Sequence, residues 1–317
     1  MERTFAMMDS RLIPRACPVC ASDARADVLK KGALQLVRCG DCSMVYASPI
    51  EESLITGQFY DQLASPFYLS PNKLESDYAP VRFAREIKLF RRFCASGDVL
   101  DVGCSNGAFL FRLIQDFGSN YRVAGIDVAG PALDYAESKR VPVIRESFLE
   151  LDSKSKRFDA ITFWAVLEHI PDPKSFLRLT AALLKPGGRC FILVPNFQSL
   201  ATRCLGYKYR YILPQHVNYF NLKTLTRFIS QETNLQFEYA NSSHFNPLVI
   251  LQDWRRKGVP VTDEDRARLL KRTTGYKQSA LLRPVKLALG VVEALLGKCN
   301  LADNTIVVFR KSLNNEG

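Results

Sequence analysis

The sequence predicts an α/β fold built on a mostly parallel sheet, and three observations carry that expectation. The stretch Val99-Leu-Asp-Val-Gly-Cys-Ser-Asn-Gly107 is an apolar run containing an acid, then a tight turn bracketed by Gly103 and Gly107, then Phe109, Leu110, Leu113 and Ile114 at helical spacing. A second apolar run, Val123-Ala-Gly-Ile-Asp127, ends in an acid. From there to Val194 strand-like runs alternate with helix-like periods, an order that implies right-handed crossovers and parallel pairing.

Along the chain, Cys17-Pro-Val-Cys20 and Cys39-Gly-Asp-Cys42 come first, with a 34–37 strand between them. Two such pairs present four thiolates to one tetrahedral ion, so residues 1–50 are expected to form a zinc ribbon whose Zn2+ replaces a core that so few residues cannot build. Two disulfides are the alternative, disfavoured without a secretion signal. The ribbon could recognise a substrate, or serve only as a lid or dimer contact. Cys94, Cys190, Cys204 and Cys299 read as small core residues and Cys104 as a turn filler.

Residues 51–97 are expected to be a linker and an N-terminal helix. The part from 51 to 74 is rich in Tyr, Phe, Pro and Ser without a steady period and reads as loop; Tyr60, Phe67 and Tyr68 either close over a ligand or pack a junction. From 78 to 94, Val81, Phe83, Ile87, Leu89, Phe90 and Phe93 alternate with Arg and Lys at helical spacing. Beyond the first two strands follow a helix at 131–139, strands at 141–145 and 158–163, a helix at 176–184, a turn at 185–188 and a fifth strand at 190–194. A helix from 221 to 233 and strands at 235–240 and 304–309 complete seven. Residues 245–302 form a helical insertion before the last strand, basic through Arg255, Arg256, Lys257, Arg266, Arg268, Lys271, Arg272, Lys277, Arg283 and Lys286. Its segment 284–296 is strongly apolar, with Arg283, Lys286 and Glu293 on one narrow stripe, so the remainder must be covered by the domain, a second subunit or lipid. A peripheral membrane contact through 280–298 is one such cover.

With 317 residues, 47% of them hydrophobic, the chain can build one sizeable core and a small appended module. A net charge of +11 favours an anionic partner: nucleic acid, a phosphorylated compound or a membrane surface. No leader pattern and no uncharged run near the roughly 18 residues of a membrane span is present, so a cytoplasmic location is expected.

The glycine turn is not the dinucleotide fingerprint, because Ser105 stands at the middle glycine position. An acid at the strand end would repel a phosphate and suits a cationic ligand with an amino group, as S-adenosylmethionine is. Asp127 could accept both ribose hydroxyls. Together Asp101-Val-Gly-Cys-Ser-Asn-Gly107, Gly125-Ile-Asp127, the run Phe158 to Pro173 containing Leu167-Glu-His-Ile-Pro171, and Leu184-Lys-Pro-Gly-Gly188 resemble the successive motifs of class I S-adenosylmethionine-dependent methyltransferases. The resemblance covers about 98–239. It implies a Rossmann-like seven-stranded class I methyltransferase domain over 98–317. It also implies cofactor contacts from Asp101, Gly103, Cys104, Gly107, Asp127, Val128 and Trp164, with Phe148 or Leu149 as the adenine wall.

Methyl transfer is an in-line displacement that must align nucleophile, methyl and sulfur and remove the acceptor's proton. Of three histidines, His169 lies in the family's Glu-His pair after the fourth strand, and His216 in Tyr207-Lys-Tyr-Arg-Tyr-Ile-Leu-Pro-Gln-His-Val-Asn-Tyr-Phe220. That loop resembles the substrate-facing loop of bacterial methyltransferases with an N-terminal zinc ribbon, including deoxysugar C-methyltransferases with a Tyr-x-Glu-His group. Leu213 and Gln215 replace the tyrosine and glutamate, so only His216 carries over, and oxygen or nitrogen methylation is expected. His216 and His169 are the catalytic candidates. Lys208 and Arg210 could hold an anionic acceptor. The acceptor is expected to be a small molecule (a sugar, lipid-linked glycan or secondary metabolite). A zinc-ribbon RNA methyltransferase is the alternative, weighed against by Phe163-Trp-Ala-Val where base-amino methylating enzymes carry Asn/Asp-Pro-Pro-Tyr/Phe.

Overall fold

The computed structural model describes residues 11–259 and 261–313, so the first ten residues of the expected ribbon and the last four of the chain lie outside the described residues. Strand β1 (Leu12–Ile13) pairs with β5 (Ile50–Glu51), and β2 (Arg25–Lys31), β3 (Leu34–Cys39) and β4 (Val45–Ala47) form an antiparallel meander between them. The stretch expected to be loop is helical instead: α1 (Glu52–Thr56), a π-helical turn at Phe59–Ala64, α2 (Ser65–Tyr68) and α3 (Pro71–Asp77). Burial of Phe59, Phe67, Ser76 and Asp77 against the rest of the protein, not a local period, holds these short helices. Helix α4 (Ala84–Phe93) starts later than its pattern suggested. Its Phe90 is fully buried, with ring centroids 4.9–5.9 Å from Phe109, Tyr121 and Phe191, a burial that stabilises by about 1.5–3 kcal/mol.

The methyltransferase-like part then runs β6 (Gly97–Val102), α5 (Ala108–Phe117), β7 (Tyr121–Ile126), α6 (Gly130–Ser138), β8 (Val143–Ile144), β9 (Phe158–Trp164), α7 (Pro173–Leu183), β10 (Leu184–Pro195), α8 (Leu200–Leu205), β11 (Asn218–Tyr219), α9 (Leu222–Glu232) and β12 (Leu235–Ser243). After β12 come α10 (Pro247–Arg256), α11 (Asp263–Gln278) and α12 (Arg283–Lys298), then β13 (Asn304–Lys311). The expected turn at 185–188 lies inside β10, where the register against β9 shifts between Leu184 and Arg189. Gly188 permits the shift, since a Cβ there would stand 2.9 Å from the Lys185 carbonyl.

Seven strands form one sheet in the order β12-β13-β10-β9-β6-β7-β8, with β13 antiparallel to both neighbours and the others that pair directly parallel. The connection direction reverses between β6 and β9, and the carboxyl ends of strands at such a reversal are where α/β sheets take ligands. Asp101 and Trp164 fall there.

The ribbon is not a free-standing module. Strand β11, from the loop after β10, pairs with β4, making a four-stranded sheet β11-β4-β3-β2. Cys17, Cys39, Cys42, Met44 and Tyr46 belong to the same apolar core as Leu100, Phe163 and Phe220. The four ribbon cysteines therefore pack directly against the core of the methyltransferase-like part.

Candidate functional site

At the glycine-turn edge, Gly103 and Gly107 have φ of +72° and +75°, and a Cβ would meet Val166 at 2.5 Å or Ala136 at 2.8 Å. Both the backbone and the packing therefore exclude a side chain. Asp101 is 3% exposed and accepts a 2.6 Å hydrogen bond from the Thr162 hydroxyl. Burial pushes its carboxyl up to about 7 against that hydrogen bond, and the nearby Asp127 adds to the rise. Asp127 accepts from the backbone N–H groups of Ser105 at 2.8 Å and Ala129 at 2.9 Å, yet burial still raises it. Among the described residues neither acid has an ion-pair partner. Two desolvated carboxyls without a cation suit a ligand bearing an ammonium and two ribose hydroxyls, so the site fits S-adenosylmethionine.

The other expected cofactor residues divide. Val128 (61% exposed) and Leu149 (46%) are exposed beside this edge, whereas Phe148 is buried with its ring stacked 5.0 Å from Phe176. Cys104 is buried, its sulfur 2.6 Å from where a Cβ on Gly125 would lie, so it fills the space between strand and turn. Trp164 packs 5.2 Å from Phe109. Sequence reasoning missed the brace on the turn from α3, where the Asn106 side chain donates to Asp77 at 3.0 Å and Tyr78 Oη donates to the Asn106 carbonyl at 2.6 Å.

Next to this edge lies a cavity lined by Phe59, Tyr60, Phe67, Tyr68, His169, Leu213, Gln215, His216, Asp263 and Arg266. It brings both histidines together, with ring centroids 4.7 Å apart. His169 Nδ1 lies 2.8 Å from the Gln215 carbonyl, which can only accept, so Nδ1 carries the proton and Nε2 a free lone pair. Tyr60 Oη is 3.0 Å from the same Nδ1. The His216 ring stacks on that of Tyr211, with centroids 6.2 Å apart and planes 9° from parallel. Burial pulls His169 down to about 4 and His216 well below the ordinary histidine range, with the Arg266 charge lowering both further. Both rings are therefore neutral at physiological pH, because burial disfavours the charged imidazolium.

Glu168 completes the group. Its carboxyl oxygens are buried without a hydrogen-bond partner among the described residues, and burial pushes the group up to about 8. Oε1 is 4.0 Å from His169 Nε2, and one ligand atom from each of Glu168, His169 and His216 lies within 4.8 Å of the others. Arg266, from the first turn of α11, pairs with Asp263 at 3.2 Å and lies 4.7 Å over the Phe67 ring. Arg210 is not free for an acceptor: it is held by Asp253 at 2.7 Å.

At the ribbon, the sulfurs of Cys17 and Cys42, and those of Cys20 and Cys39, are 3.4 Å apart, and all four lie within 4.8 Å of one another. A tetrahedral ion with 2.3 Å bonds to sulfur needs about 3.8 Å between sulfurs, so the four fit zinc. The ribbon grips the histidine loop: Lys31 Nζ donates to the carbonyls of Tyr209 (3.2 Å) and Ile212 (2.8 Å), and Ala47 N–H to that of Val217 (2.9 Å). Arg15 donates to the Val217 and Pro171 carbonyls at 3.1 and 2.7 Å.

A seven-stranded sheet with one reversed strand, a glycine turn and acids at the ends of its first two strands define a class I S-adenosylmethionine-dependent methyltransferase. The chain belongs to the methyltransferase domain family, whose model matches residues 77–239. It is 29% identical over 163 residues to a ubiquinone biosynthesis O-methyltransferase of Coxiella burnetii strain RSA 493, covering 47% of this chain and 68% of the relative. A protein of the same description from Serratia proteamaculans is 27% identical over 194 residues, 55% of this chain and 79% of its own. The crystal structure of the [4+2]-cyclase SpnF shares the fold, with a TM-score of 0.53 at 17% identity, covering 84% of this chain and 99% of that one.

Proposed function

We propose that this methyltransferase methylates a hydroxyl of a small, ring-shaped acceptor bound in the histidine cavity, with His216 as the base and His169 beside it. The observation that carries the reading is the pair of buried imidazoles, ring centroids 4.7 Å apart and one of them fixed by a backbone carbonyl, inside an aromatic-walled cavity. When bound, S-adenosylmethionine supplies the electrophilic methyl, and Asp101 and Asp127 would hold its ammonium and ribose. The chain's own work is to place the acceptor oxygen in line and take its proton. His216 would receive that proton on its unprotonated ring nitrogen as the acceptor oxygen takes the methyl, the sulfonium sulfur keeping the electron pair of the bond it gives up. Phe59, Tyr60, Phe67 and Tyr68 offer faces on which a planar or sugar ring can stack, and Arg266 is placed to meet a negative group on it. The O-methyltransferase relatives support oxygen over nitrogen.

We further infer that Cys17, Cys20, Cys39 and Cys42 hold one zinc ion, on the support of their sulfur separations. His216→Asn tests the catalytic reading. General-base loss lowers turnover by about a hundredfold to ten-thousandfold while cofactor affinity, measured by calorimetry, stays at the wild-type level. Turnover above about a third of wild type across pH 6–9 would leave positioning as the source of catalysis. Nucleic acid co-purifying with the protein, read as absorbance at 260 nm, would turn the reading toward RNA.

A further inference from the structure

Helix α12 is amphipathic in reverse. Among its described residues none is buried. The charged groups on its inner side are used up: Glu293 accepts from the His244 backbone N–H at 2.8 Å and pairs with Arg85, and Lys286 donates to the Lys277 carbonyl at 2.9 Å. Gly297 sits on the same inner side, where a Cβ would meet the Ser242 carbonyl at 2.7 Å. The outer side is apolar: Val285 is 54% exposed, Leu287 74%, Val291 62% and Leu295 60%, with Leu281 just before the helix at 92%. These residues make a ridge about 15 Å long at 1.5 Å per residue. So large a contiguous apolar surface marks a docking site.

We propose that this ridge lies on an anionic lipid surface, the helix parallel to the membrane plane. Charge chooses this occupant. The exposed cations Arg283 and Lys298 stand at the two ends of the ridge, and Glu293, bonded inward, is the one acid between 281 and 300. In a pair of copies packed ridge to ridge, either helix orientation sets Arg or Lys of one against Arg or Lys of the other, with no carboxylate on the face to neutralise them. Anionic headgroups supply that neutralisation, and long basic side chains can reach them while the apolar residues enter the acyl boundary. At 16 residues α12 is not long enough to cross a bilayer, and no helix of the described residues is long and apolar enough to do so, so it lies on the surface.

The full chain should co-sediment with vesicles of phosphatidylcholine mixed with phosphatidylglycerol and not with phosphatidylcholine alone. Replacing Arg283 and Lys298 by Ser should weaken binding roughly fivefold for each residue, and the double variant Leu287→Glu, Val291→Glu should abolish it. These side chains point away from the fold, so the variants should melt and bind cofactor as wild type does; that control separates lost docking from lost folding. Equal binding to neutral vesicles, or undiminished binding by the double variant, overturns the proposal. A dimer in light scattering that Leu287→Glu dissociates would overturn it in favour of a second copy. A monomer with no affinity for either vesicle would overturn it in favour of a protein partner.

Discussion

The glycine-turn edge and the histidine cavity lie at the same end of the sheet, yet one is written in a short stretch of chain and the other is assembled from distant ones. The acids and turn of the first come from 101–129, with Asp127 held by the N–H groups of Ser105 and Ala129 inside that span, and few contacts reach it from elsewhere: the Thr162 hydroxyl on Asp101 and the Asp77 and Tyr78 brace on Asn106. The second draws on 59–68, 168–169, 213–216 and 263–266, and is braced from the ribbon by Lys31 and Arg15. A local site tolerates changes elsewhere in the fold. An assembled one responds to every element that holds it.

The largest test of that difference is removal of the zinc ion proposed for Cys17, Cys20, Cys39 and Cys42. Structural zinc contributes folding free energy directly, so stripping it should melt the meander, free β11 from β4 and lower turnover by about a hundredfold or more, as much as loss of the base itself. Cofactor affinity should fall far less, because no cofactor residue is on the ribbon. If turnover and cofactor affinity fell together, the shared core around Met44 and Tyr46 would be the dominant link, and the contrast between the two sites would fail.

Glu168 gives the next largest effect. Its folded carboxyl is raised to about 8, above the ordinary 4.5, so the folded protein keeps a proton that the unfolded chain has lost. Its contribution to stability is therefore full below pH 4.5 and is lost as the pH rises toward and through 8. Glu168→Gln cannot ionise and should gain on wild type over that window, reaching on the order of 5 kcal/mol at high pH. Urea melts at several pH values would show it. Asp101, raised to about 7, adds a similar slope. Saturating cofactor should flatten the Asp101 part by supplying a cation and leave the Glu168 part. Melts of Glu168→Gln that keep the wild-type slope would show that Glu168 titrates ordinarily.

Much of the fold was legible because its motifs are contiguous. Asp101 to Gly107 specifies strand, turn and helix within seven residues, and Asp127 ends the next strand. The helices between 52 and 77 were not, because their Tyr, Phe, Pro and Ser residues have no period of their own and fold by docking on the turn and the cavity. Both histidines were legible as candidates. Their pairing, the burial that neutralises them and the carboxyl of Glu168 beside them were not, since nothing in Leu-Glu-His-Ile or Pro-Gln-His-Val states which groups will meet. Arg266 was one of eleven basic residues in the insertion, with no signal to single it out. Lys31 was invisible as a positioning residue for the same reason.

At the local site, Asp127→Ala should weaken S-adenosylmethionine binding by at least about 1.5 kcal/mol, roughly tenfold, through loss of hydrogen bonds to a charged acceptor. The acceptor's KM should stay unchanged. Wild-type affinity in calorimetry would remove Asp127 from the ribose.

The smallest effect expected is at Lys31, and it separates bracing from chemistry. Its ammonium ties two carbonyls of the histidine loop to the ribbon and does not line the histidine cavity. Lys31→Met should leave cofactor affinity intact and lower kcat by about threefold to tenfold, less than the roughly 1.5–3 kcal/mol of one hydrogen bond to a charged group, because the loop keeps its other ties to the ribbon. The informative readout is the pH profile. His216 stays neutral to low pH because it is buried, and a loosened loop admits water and lets its pKa rise toward the ordinary value. The acid limb of kcat should then move to higher pH, since the base is lost to protonation earlier. Lys31→Arg should restore much of the rate and return the limb, because a guanidinium can donate to the same carbonyls. A rate loss with an unmoved limb would mean that the ribbon merely stabilises the fold, and that the loop sets His216 without it.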